Sequence, residues 1–144
     1  MTDAPPERTE TVRATGHEHV AATHASTFEV TTDDWLTPAG DCIVGVAADR
    51  APADFDDAFV AACRDPDATV TVTLSAAGHR ETVAASGHPD LTVDSERSLV
   101  VRTSEYVDDR TVAVDADAAA ADLDRELVAA LADGADLTCE LTVD

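Results

Sequence analysis

Residues 10–17 read ETVRATGH and residues 81–88 read ETVAASGH, six identities in eight positions, 71 residues apart. Self-similarity at a fixed spacing is the mark of a repeated structural unit. The match extends outward at the same spacing. TFEV (27–30) falls on SLVV (98–101), and Trp35 falls on Tyr106. After a deletion of three residues, IVGVAAD (43–49) falls on TVAVDAD (111–117), and Phe55, Phe59 and Cys63 fall on Leu123, Leu127 and Leu131. VTVTL (70–74) then matches LTCEL (137–141). The chain after residue 9 reads as two copies of one unit, residues 10–80 and 81–144, in a single domain.

Each copy has the order β-β-β-α-β. ETVRATG alternates and is rich in Thr and Val, which marks a strand. TFEVTT is a second strand, and CIVGVAA, almost continuously apolar, a third that is buried on both faces. In copy two Asp117 is placed to cap the helix and Gly134 to end it. Leu123, Leu127 and Leu131 make its apolar stripe. In copy one Pro52 suits a first helical turn, Phe55, Phe59 and Cys63 repeat the stripe, and Asp65-Pro66-Asp67 breaks it. VTVTLSA and DLTCELTV are the closing strands, and residues 19–23 and 91–94 have the character of extra short strands. A unit of this size with one helix buries too little surface to stand alone. The expectation is a mainly β (α+β) fold: a pseudo-twofold sandwich or barrel of eight to ten strands, mostly antiparallel, with two helices. Residues 1–9, with Pro5-Pro6 and charges, read as a disordered tail.

The 144 residues carry 30 acids against nine basic residues, a net charge of -21, with all nine bases Arg. Only five residues are aromatic, but 44% are hydrophobic, enough for a core. The acids are spread along the chain rather than gathered in a tail. Self-repulsion on this scale is relieved by concentrated salt, whose Debye length is ~3 Å at 1 M. Abundant Asp, absent Lys and few bulky apolar residues therefore read as the protein of a halophile. The charge disfavours general nucleic-acid binding. No apolar run reaches the ~20 residues of a membrane span, and no signal segment opens the chain. The three cysteines, Cys42, Cys63 and Cys139, form no CxxC pair. A disulfide framework is not expected, and a cytoplasmic location follows.

Histidine placement is the most informative polar feature. Copy one holds His17, His19 and His24, whereas copy two keeps His88. His17 and His88 each follow a Gly expected to serve a positive-φ turn. Each either bonds its own turn or lines a pocket where the two GH turns meet. An extended His17-Glu18-His19 points both imidazoles to one face. With His24, and Asp41 or Cys42, these are candidate ligands for a divalent transition metal. Thr37-Pro38-Ala39-Gly40 is a turn that delivers Asp41 and Cys42 to a strand mouth. Asp41 is a turn cap or a general base, and Cys42 a nucleophile if His24 or His17 lies near. The matching turn of copy two carries Asp108, Asp109 and Arg110. Arg110 offers a fork to an anion or pairs with a neighbouring acid. The candidate catalytic set is His24, Asp41 and Cys42. The candidate ligand-binding set is His17, His88, Asp109 and Arg110. Phosphate loops, dinucleotide fingerprints and RNA-binding aromatics are absent.

GHEHVAATHASTFEVT, LTPAGDCIVGVAAD, SGHPDL and DDRTVAVDADAAAADLDREL, in that order, resemble the archaeal family catalogued as domain of unknown function 371. The similarity covers nearly all of residues 10–144. The resemblance implies a small, mainly β single domain. It implies no activity and transfers no catalytic or ligand residues. Taken together, the features read as a haloarchaeal protein that binds a small molecule or metal, as binder or enzyme, through a His/Asp/Cys site built mainly by copy one. The alternative is a non-catalytic module for a protein or RNA partner, using a sheet edge or an arginine patch from Arg13, Arg80, Arg97 and Arg102.

Overall fold

A computed structural model describes residues 8–144. The tail expected over residues 1–9 lies outside these except for Arg8 and Thr9, which open the first strand rather than fray. The elements are β1 (Arg8–Thr15), β2 (Thr27–Thr31), β3 (Ile43–Gly45), α1 (Asp57–Cys63), β4 (Thr69–Ala76), β5 (His79–Ser86), β6 (Ser98–Arg102), β7 (Thr111–Ala113), α2 (Arg125–Ala132) and β8 (Asp136–Val143). A one-turn 3-10 helix precedes each α-helix, Pro52–Asp54 before α1 and Ala120–Asp122 before α2.

The eight strands form two open sheets in a sandwich-like arrangement, so the barrel alternative is set aside. The first sheet is antiparallel in the order β1-β8-β4-β5. Its alternation follows the sequence pattern. Val12, Val72, Leu74, Val83, Cys139 and Leu141 point inward and are buried, and the Thr and Ser residues point outward; Glu10 shares the inward face and is buried against Arg50. The second sheet has the order β3-β2-β6-β7, with β2 and β6 antiparallel at its centre. β3 and β7 join its edges in parallel. The third apolar run of each copy therefore becomes a short edge strand, and residues 19–23 and 91–94 are loops rather than strands. Paired bridges between Thr15 and Val46, and between Ser86 and Val114, tie the edge strands of the first sheet to the ends of the second.

α1 packs on β1 and β8, and α2 on β4 and β5. Their stripes, Phe59 and Cys63 on one and Leu127 and Leu131 on the other, are fully buried. Gly134 ends α2 at φ +90°. Asp117 does not cap that helix. Asp124 does, accepting from the Glu126 amide at 3.1 Å, while Asp117 binds the edge of β5 through the Ala84 amide at 3.1 Å. The intervening 3-10 turn shifts the helix start by seven residues. Asp49 caps the edge of β1 in the same way, accepting from the Arg13 amide at 2.9 Å. Both outer edges of the first sheet are thereby blunted against further strand pairing.

Candidate functional site

The two GH turns do not meet. β1 and β5 are opposite edges of the first sheet and run antiparallel, so the turns that follow them leave opposite corners. Nor are Gly16 and Gly87 positive-φ devices. A side chain on Gly16 would run into the Leu131 carbonyl at the end of α2, and one on Gly87 into the Cys63 and Asp65 carbonyls at the end of α1. The glycines serve close packing. Each following histidine bonds its own turn: His17 Nδ1 accepts from the His19 amide and His88 Nδ1 from the Asp90 amide, both at 3.0 Å. His24 also works locally. Its Nδ1 accepts from the Ser26 and Thr27 amides at 3.2 Å. Ser95 does the same 71 residues later, accepting from the Arg97 and Ser98 amides at 3.1 and 3.2 Å.

His17, His19 and His24 do not gather as a ligand set. Among the described residues, the three metal-ligating side chains that converge within 4.8 Å are His79, Asp124 and Glu126, at the protein surface. Asp41 meets the His24 segment through its backbone: its carbonyl accepts from the Thr23 and His24 amides at 3.0 and 3.2 Å.

Cys42 and Arg110 come together through a residue outside both candidate sets. Glu29, on the outer face of β2, lies 3.5 Å from the Cys42 sulfur and 3.7 Å from Arg110 Nη1, with its side chain 12% exposed. Burial and the neighbouring Glu29 charge push the Cys42 thiol up to about 11. A neutral thiol is a poor nucleophile, so the geometry opposes a covalent role for Cys42. Burial likewise pushes Cys63 and Cys139 to about 12.

Arg110 also bonds Asp108 at 3.0 Å, and Arg102 bonds the same carboxylate oxygen at 2.9 Å while stacking over the Tyr106 ring at 4.8 Å. Asp108 further accepts from the Thr111 hydroxyl at 2.9 Å and from the Arg110 and Thr111 amides. Burial alone would raise its pKa, but the Thr111 and Arg110 hydrogen bonds and the two arginine charges prevail and hold it at about 2. Asp108 is therefore ionised and locked.

That carboxylate forms part of a groove of about 730 Å³ between the loops 88–94 and 105–109. His88 and Asp109 of the expected ligand-binding set line it, and Arg110 stands behind the Asp108 wall. His17 is not among the lining residues. Asp90, Asp94 and Glu105 complete an acidic wall, and Tyr106, 61% exposed, supplies an aromatic face. Among the described residues no arginine pairs with Asp90, Asp94, Glu105 or Asp109. The walls are held in place. Arg64 Nε donates to the Leu91 carbonyl at 2.8 Å on one side, and the Asp108 network fixes the other. Sequence reasoning missed Glu29 as a bridge, Asp108 as an anchor and Tyr106 as a wall. The alignment of Trp35 with Tyr106, two bulky aromatics in an aromatic-poor chain, was the available signal.

Fold and site together define a mainly β, two-sheet domain with two short helices and an acid-lined loop groove. The chain belongs to the family described as domain of unknown function DUF371, whose sequence model matches residues 12–144, the archaeal family its motifs resemble. It is similar to the uncharacterized protein MJ0206 of Methanocaldococcus jannaschii, with 36% identity over 132 residues, covering 92% of this chain and 97% of that protein.

Proposed function

We propose that this protein binds a small organic cation in the groove between residues 88–94 and 105–109. The observation that carries the reading is the pairing of four carboxylates that lack an arginine partner with an exposed aromatic ring in one preformed concavity. Its volume of about 730 Å³ falls within the ~300–1,000 Å³ range of small-molecule sites. A ligand ammonium or guanidinium group would neutralise the acids and lie on the face of Tyr106 that Arg102 leaves uncovered, a contact worth roughly 0.5–2 kcal/mol. This reading moves the site from copy one to copy two. It leaves His17, His19 and His24 as turn-bonding residues and assigns no catalytic role to Asp41 or Cys42.

The same reading takes the chain as a duplication. Left-handed residues recur at Ala22 and Val93, and at Ala47 and Asp115. His24 and Ser95 cap equivalent turns. Both halves follow the same element order. The acids belong to a salt-adapted, cytoplasmic, haloarchaeal surface. No helix among the described residues is long and apolar enough to cross a membrane. The test of the site is a panel of diamines, guanidines and anions in thermal melts at fixed molar salt. A cation at 100 times its dissociation constant adds about 2.7 kcal/mol, which raises Tm by about 5 °C or more in a chain of this size, and Asp94→Asn with Tyr106→Ala abolishes the rise. Equal melts with every compound overturn the reading.

A further inference from the structure

The outward face of the first sheet has a composition unlike the rest of the chain. Sixteen side chains point outward from β1, β8, β4 and β5; eleven are Thr or Ser, two are Arg and two are acidic. The face carries no net charge, so the remainder of the chain carries the whole -21. Its charges are also ordered. Arg13, Thr138, Ser75 and Arg80 form one cross-strand row, with the arginines on the two edge strands. The two carboxylates, Asp136 and Glu140, both lie on β8, one on each side of that row.

We propose that this face is the surface through which two copies of the chain associate. Two features favour a second copy over another partner. Two bodies of charge -21 repel, and this face lets them approach without opposing like charge. The charge order is self-complementary. A copy turned over about a two-fold axis parallel to the strands lays its Arg80 along the partner's β8, between Glu140 and Asp136, and the contact repeats in reverse, as an isologous interface requires. In that arrangement the axis runs over β4, and three strands, β8, β4 and β5, overlap. At about 4.8 Å spacing and about 25 Å length they give a footprint of about 360 Å² per copy, or about 720 Å² for the pair, the size of a weak, reversible contact. Strand addition at the edges is not the route, because Asp49 and Asp117 occupy the amides of Arg13 and Ala84.

Sedimentation equilibrium of the full chain in molar KCl tests this. The wild type should approach twice its 15.0 kDa as its concentration rises. Thr73→Arg, at the centre of the face and half exposed, should return it to a monomer with an unchanged circular dichroism spectrum. If that variant fails to fold, Arg80→Glu provides the second reading. It should yield a monomer, and adding Glu140→Arg should restore the dimer. A wild type that stays at 15.0 kDa up to its solubility limit, or folded variants that remain dimeric, would overturn the proposal.

Discussion

At the residue scale, two side chains decide how the polar residues are to be read. His24 stands in a sequence crowded with histidine, yet its imidazole does the work that Ser95 does in the other half: it accepts two backbone amides at the entry to a central strand. Replacement by Ser should therefore preserve stability within about 0.5 kcal/mol, whereas His24→Ala should cost about 1 kcal/mol, the value of a lost cap. Urea unfolding of the two variants measures the difference, and equal losses would contradict the capping role. Asp108 is the second. Its pKa is depressed from 3.8 to about 2, so its pairing stabilises the fold fully above pH 4 and is lost as pH falls through 2. The contribution, screened by solvent, is on the order of 1 kcal/mol. Acid titration of stability should lose that increment between pH 4 and 2 in the wild type and lack it in Asp108→Asn.

The elements show which signals reach the sequence. Period-two alternation in β1, β4, β5 and β8 and the four-residue stripes of α1 and α2 are legible because each side chain's burial is set locally by the strand or helix period. The parallel pairing of β3 and β7 is not, since two three-residue strands carry no pattern that states their partner. Nor is the helix start at Asp124, because a 3-10 turn and an α-turn accept the same residues. The glycines after β1 and β5 were legible as special, but the reason lies at the end of a helix that is distant in sequence, Leu131 for Gly16 and Cys63 for Gly87. Gly16→Ala and Gly87→Ala force a methyl group into a helix-terminal carbonyl, and each should cost about 1–3 kcal/mol. Thermal melts of the single variants measure it, and wild-type Tm values would exclude the close approach. The candidate site was legible only in part. His88, Asp109 and Arg110 stand out by type and position, but Glu29 joins Cys42 to Arg110 only once β2 and β6 lie side by side.

For the whole molecule, the charge of -21 and the loop groove are the two features that act together. If the acids are the coat of a salt-adapted protein, Tm should rise steeply from dilute buffer to molar KCl as repulsion is screened. Equal Tm values at low and high salt would contradict that account. The groove concentrates the same charge where loops from the second half stand around Tyr106, and a bound cation would gain from it locally. The most direct measurement is a nuclear magnetic resonance titration of the labelled chain with a diamine at constant ionic strength. The proposed site requires saturable shifts of the amides in residues 88–94 and 105–109, with those of Thr27 and Cys42 unmoved. No shift in those loops, or equal shifts over the whole acidic surface, would contradict it.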